Sequence, residues 1–158
     1  MNSPGLAKSS PRPLWFLLAR WALGAYFVYM GAAKALDPVD FLKLLRQYQL
    51  VENPLMLNLI ALSLPWFEIF CGLLLLAGIA VRGAALVHLF LLAAFTWIVF
   101  QRALGIYSLQ HLPFCAVKFD CGCGTGEVLI CHKLVENTAL AGLSAWILLG
   151  GGLKTHNT

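Results

Sequence analysis

Four apolar segments, Leu14 to Leu36, Leu55 to Ala80, Gly83 to Leu104 and Leu134 to Leu153, leave little of this 158-residue chain for anything else. Each is close to the roughly 20 residues that carry a helix across ~30 Å of hydrocarbon. In lipid the backbone must satisfy its own polar groups, so runs of this length fold as helices. The expected fold is therefore all-α: an integral membrane four-helix bundle, with both chain ends on one side. Composition agrees, because 60% hydrophobic and 11% charged residues exceed the apolar share of a water-soluble domain.

The membrane domain is expected over residues 14–153. Residues 1–13 carry Pro4, Gly5, Pro11 and Pro13 among serines and read as a disordered tail; residues 154–158 form a short tail at the other end. Lys8 and Arg12 before an apolar run, with Ala33-Lys34-Ala35 after it, also have the form of a cleaved signal peptide. The run is too long for a signal core. A net charge of +4 raises the question of nucleic acid, but the eleven Lys and Arg residues are scattered rather than clustered, which argues against it.

After the first span, Asp37-Pro38-Val39-Asp40 has the signature of a helix start: Asp37 as N-cap, Pro38 in the first helical position and Asp40 near the positive end of the dipole. The helix that follows, to about Leu50, places Phe41, Leu42, Leu45 and Tyr48 on one side. It is expected to be a short amphipathic helix lying flat at the interface. The second and third spans are separated by only a few residues and should be antiparallel neighbours. Gly24 and Gly31 on the first span, with Gly72 and Gly78 on the second, permit close helix approach.

Ionisable groups inside apolar spans are costly, so Arg20, Glu68 and His88 each call for a partner or a task. Arg20 and Glu68 lie near enough in depth to pair. One reading is a structural ion pair between the first two spans; the other is a proton-handling or quinone-headgroup site built from Arg20, Glu68 and His88. Cys71, three residues after Glu68, reads as a small packing residue.

The other four cysteines, Cys115, Cys121, Cys123 and Cys131, fall in the loop expected over residues 105–133. Four cysteines allow three pairings, and the sequence does not choose among them. Cys121 with Cys123 would close a very small ring of the labile, exchange-active kind, whereas Cys115 with Cys131 would clip the ends of the loop. Lys118, His132 and Lys133 favour thiolate nearby. Two inert disulfides are an alternative. Zinc, with His111 and His132 added to the thiols, is another, although the spacing lacks paired C-x₂₋₄-C knuckles. No Walker loop, G-x-S-x-G elbow, H-E-x-x-H helix or Rossmann fingerprint occurs.

Basic residues are divided between the two faces. Lys8, Arg12, Arg82 and Lys154 lie with the termini, and Lys34, Lys43, Arg46, Arg102, Lys118 and Lys133 lie toward the cysteines. By count this slightly favours a cytoplasmic cysteine loop. Several cysteines in one loop nevertheless fit an oxidising compartment better, and this reading is adopted.

Arg20, Gly24, Gly31, Lys34, Asp37-Pro38, Phe41 and Tyr48 are followed by Leu64-Pro65-Trp66-x-Glu68-x-x-x-Gly72 and Cys121-Gly122-Cys123-Gly124. In this combination the chain resembles the methylamine utilisation protein MauE family, within the wider DoxX-like group of four-helix membrane proteins. The resemblance implies a bacterial inner-membrane protein with both termini cytoplasmic and the cysteine loop periplasmic. It also implies redox association: MauE-type proteins are linked to maturation of methylamine dehydrogenase, in company with a thioredoxin-like partner. Related DoxX-group subunits belong to a thiosulfate:quinone oxidoreductase. The chain departs from the family's Cys-Gly-Cys-Phe-Gly string by lacking the Phe, and Cys115 and Cys131 look additional.

The leading expectation is thiol–disulfide exchange with a periplasmic thioredoxin-like protein through Cys121 and Cys123, with Cys115 and Cys131 as a second pair. If electrons continue into the bilayer, a quinone near Lys34 and Arg102, or deeper near Arg20 and Glu68, is the natural acceptor. The alternatives are a non-catalytic anchor or assembly subunit of a membrane redox complex, and a subunit of a thiosulfate:quinone oxidoreductase. Four helices offer little room for an alternating-access transporter.

Overall fold

The structure, a computed structural model, describes residues 13–48, 53–110, 113–120 and 127–150. The elements are α1 (Leu14–Leu36), α2 (Pro38–Gln47), α3 (Pro54–Ala77), α4 (Val81–Gln110), a 3₁₀ turn (Phe114–Ala116), β1 (Lys118–Asp120), β2 (Glu127–Leu129) and α5 (Ile130–Gly150). The protein is an all-α membrane bundle. Helix α1 packs on α3, α3 on α4 and α4 on α5, and α5 closes the ring against α1. Helices α1, α3 and most of α4 are long and apolar enough to cross a membrane. The 21 residues of α5 make a rod of about 31 Å at ~1.5 Å per residue.

The tightest seam runs between α1 and α3. A Cβ placed on Gly24 would stand 2.9 Å from the carbonyl oxygen of Gly72, and one on Gly31 would stand 2.7 Å from that of Pro65. The absence of side chains at these points is what lets the two backbones touch, the packing device of membrane helices. Larger side chains such as Trp15, Trp21, Phe70, Phe90 and Trp97 face outward. That inversion suits a lipid solvent, where apolar burial between helices gains little.

Helix α2 begins as its sequence suggests: the Asp37 carboxylate accepts from Asp40 N at 3.0 Å, with Pro38 in the first turn. Phe41 and Leu44 are buried, and α2 packs against α3. Three boundaries differ from expectation. Helix α3 stops at Ala77, because Gly78 adopts φ +77° and closes a Schellman cap, with Ile79 N donating to Leu74 O at 3.0 Å and Gly78 N to Leu75 O at 3.1 Å. Helix α4 continues past Leu104 to Gln110: Gly105 alone does not end it, and the next strong breaker is Pro113. Helix α5 starts at Ile130, so the polar residues before Leu134 belong to the helix.

The segment between α4 and α5, expected as plain loop, contains a two-stranded antiparallel hairpin. Lys118 pairs with Leu129, Phe119 with Val128 and Asp120 with Glu127. Alternating Lys118-Phe119-Asp120 and Glu127-Val128-Leu129 have the period of strands rather than helices. The N-terminal tail, the C-terminal tail beyond Gly150, His111, Cys121 and Cys123 lie outside the described residues.

Candidate functional site

The cysteine end of the bundle is built on one covalent tie. Cys115 in the 3₁₀ turn and Cys131 in the first turn of α5 form a disulfide, with Cα atoms 5.1 Å apart. Between them in sequence, Val117 is fully buried with Ile130, Val99, Ala103 and Met30, and Ile130 N donates to Val117 O at 3.1 Å. The Phe114 ring meets Phe100 and Tyr107 of α4 edge-on. The hairpin is thus seated on α4 and α5. Cys121 and Cys123 fall in the connection between Asp120 and Glu127, which are themselves register partners. With Cys115 and Cys131 bonded to each other, neither is available as a thiolate ligand. Among the described residues no three His, Cys, Asp or Glu side chains gather as a metal site.

Directly beneath this cap lies a cavity of about 40 Å³ lined on its polar side by Tyr26, Lys34, Glu68, Lys133 and Asn137, and on its apolar side by Phe27, Met30, Leu91, Leu92 and Phe95. Lys34 Nζ, near the end of α1, donates to both carboxylate oxygens of Glu68 on α3, at 2.7 and 2.8 Å. Both side chains are nearly sealed, at 9% and 8% exposure. The ring of Phe41 on α2 sits 5.7 Å from Lys34 Nζ. Across the cavity, Lys133 Nζ on α5 donates to Glu136 Oε2 at 3.0 Å, and Tyr26 Oη donates to Glu136 Oε1. Asn137 is 2% exposed, and its Nδ2 has no acceptor among the described residues. Low dielectric makes each opposite-charge contact strong and each unpaired polar atom expensive.

This arrangement corrects the expected site of Arg20, Glu68 and His88. Glu68 pairs with Lys34, not Arg20, because Arg20 lies 14 residues earlier on α1, about 21 Å along the axis at ~1.5 Å per residue. Arg20 instead places its guanidinium against Gly78 at the C-terminal end of α3, where a cation meets the negative end of the helix dipole. His88 is fully buried and stacked on Phe27 at 3.7 Å, with neither ring nitrogen bonded among the described residues. Cys71 is buried and free.

The residues expected beside a quinone are likewise divided. Lys34 and Arg102 line separate spaces: Arg102 borders a groove of about 270 Å³ with Tyr48, Trp97 and Gln101, on the α2 side of α4. The Lys34 cavity, at about 40 Å³, has room for water. Arg20 is remote from Glu68, so the deeper position is divided as well.

Sequence reasoning passed over Tyr26, Glu136 and Asn137, and used Lys133 as a neighbour of the thiols and in the count of basic residues. The signal was present in α5: residues 133, 137, 140, 144 and 147 share one helical face, and Lys133, Asn137, Ser144 and Ile147 on it are buried. Beginning the span at Leu134 concealed the pattern.

No curated protein and no solved structure matches the chain. The described features of Arg20, Gly24, Gly31, Lys34, Glu68 and Gly72 lie within residues 12–150, the stretch matched by the model of the methylamine utilisation protein MauE family, and the chain belongs to that family.

Proposed function

We propose that this membrane protein of the MauE family exchanges thiols and disulfides with a periplasmic thioredoxin-like partner during maturation of an exported enzyme such as methylamine dehydrogenase. On this reading it sits in the bacterial inner membrane with both termini cytoplasmic and the cysteine hairpin periplasmic. Cys121 and Cys123 are the exchanging pair and Cys115 and Cys131 the second. A thiolate on one protein attacks a disulfide sulfur on the other, a mixed disulfide forms, and the displaced thiolate takes up a proton. A second thiolate then resolves the mixed bond, so one disulfide is lost for each one made.

The observation that carries this reading is the Cys115–Cys131 disulfide at the base of a hairpin whose connection holds Cys121 and Cys123. It ties together the two ends of the segment in which Cys121 and Cys123 fall. A second reading, a non-catalytic anchor or assembly subunit, draws on the same bond, since it also braces α5 against the 3₁₀ turn.

A trapping experiment separates them. The full chain in nanodiscs is incubated with a thioredoxin whose resolving cysteine is serine, and products are resolved on a non-reducing gel and mapped by mass spectrometry. Exchange predicts a mixed disulfide at Cys121 or Cys123 that is lost in the Cys121→Ser/Cys123→Ser variant. An anchor predicts no adduct, and a variant that supports the partner complex as well as the wild type does.

A further inference from the structure

We infer that the cavity bordered by Lys34, Glu68, Tyr26, Lys133 and Asn137 is a hydrated proton-exchange site, in which water hydrogen-bonded to Asn137 carries protons to and from the Glu68 carboxylate. The inference stands on the buried cluster and does not depend on the cysteines exchanging disulfides. Three observations carry it.

The first is Asn137. An amide N–H at 2% exposure without an acceptor among the described residues is a costly arrangement in a hydrocarbon layer, and it borders a space of about 40 Å³. Water is the acceptor of matching size. The second is position. Lys34 lies two residues before the end of α1, and Lys133 three residues after the start of α5. Lys34 and Lys133 therefore lie within about one helical turn of the cysteine-bearing end and Asn137 about one turn deeper, while the inner wall of Leu91, Leu92 and Phe95 is apolar.

The third is the balance of charge around Glu68. Helix α1 presents Lys34 and Tyr26, and α5 presents Lys133 and Glu136. Helix α4 presents apolar side chains, with His88 one turn further in, and α2 presents the ring of Phe41 over Lys34. Two cations and two carboxylates neutralise each other when all are ionised. Adding one proton to Glu68 leaves a single excess positive charge, which cavity water solvates and the Tyr26–Glu136–Lys133 group borders. The step is a transfer from hydronium to carboxylate oxygen, returning water. It requires no oxidant or reductant.

Dicyclohexylcarbodiimide tests this. The reagent enters bilayers and adds to protonated carboxyl groups: the carboxyl oxygen bonds to the carbodiimide carbon, the proton goes to nitrogen, and acyl shift leaves a stable acylurea. The full chain in nanodiscs is treated across a mildly acidic to mildly alkaline series, and peptides are quantified by mass spectrometry. We expect an adduct at Glu68 that grows as the medium is acidified and is absent in Glu68→Gln. Asn137→Leu, which fills the cavity, should lower labelling severalfold, whereas Asn137→Ala, which leaves it open to water, should retain it. No Glu68 adduct at any pH, or labelling equal in the Leu and Ala variants, overturns the inference. The wild-type series decides the matter without either variant if one fails to fold.

Discussion

Lys34 on α1 and Glu68 on α3 meet with the ammonium nitrogen 2.7 and 2.8 Å from the two carboxylate oxygens, in surroundings from which solvent is nearly excluded. Removing one partner leaves the other charged and unpaired in a medium of low dielectric. Lys34→Met should therefore destabilise the bundle by about 3–5 kcal/mol. The double variant Lys34→Met/Glu68→Met should recover most of that loss. Reversible denaturation of the four proteins in one detergent, read as a double-mutant cycle, checks both values.

The α1–α3 seam makes a second expectation. A side chain at Gly72 would place its Cβ 2.8 Å from the Gly24 carbonyl oxygen, whereas one at Gly83 meets nothing within 4 Å. Gly72→Ala should lower stability by about 1–3 kcal/mol, as overpacking does. Gly83→Ala should be neutral or favourable by up to ~1 kcal/mol, because it removes chain entropy from an exposed helical position. Thermal melts of the two variants beside wild type give the comparison.

His88 occupies a sealed position with two unbonded nitrogens, stacked on Phe27. If its role is only to fill space, His88→Leu should match wild-type stability or exceed it by about 1–2 kcal/mol, since a buried unsatisfied polar group is removed. Loss of stability on this substitution would mean that the imidazole has a partner to which it donates or from which it accepts.

The Cys115–Cys131 bond closes a separation of 16 residues. Chain-entropy reasoning for a loop of that size gives about 3 kcal/mol. Cys115→Ser/Cys131→Ser should loosen the hairpin by that order, visible as faster amide exchange in Val117, Val128 and Ile130. In the oxidised wild type, alkylation should leave Cys71 unmodified until the protein unfolds, because it is buried within α3.

Much of this architecture is written in the apolar spacing. Span number, the Asp37-Pro38 start of α2 and the close approach at Gly24, Gly31 and Gly72 all follow from local rules of length, capping and size. The polar site was harder to read because partners are set by register between helices. Depth alone suggested Arg20 for Glu68, but the α1–α3 seam aligns Gly24 with Gly72 and Gly31 with Pro65, which carries Arg20 down to Gly78 and leaves Lys34 to reach back to Glu68. The hairpin was obscured for a different reason: three-residue strands give too short an alternation to stand out between two long helices. Glu136 and Asn137 lie inside the expected fourth span, but their role is set by the residues of α1 that face them, and no local pattern in α5 reveals those partners.

Cys131 and Lys133 occupy the same opening turn of α5, about 3 Å apart along its axis at ~1.5 Å per residue. The sulfur bridge and the buried ammonium group are consequently mounted on one stiff lever. A shift of that opening turn on breaking the bridge would carry the lysine with it.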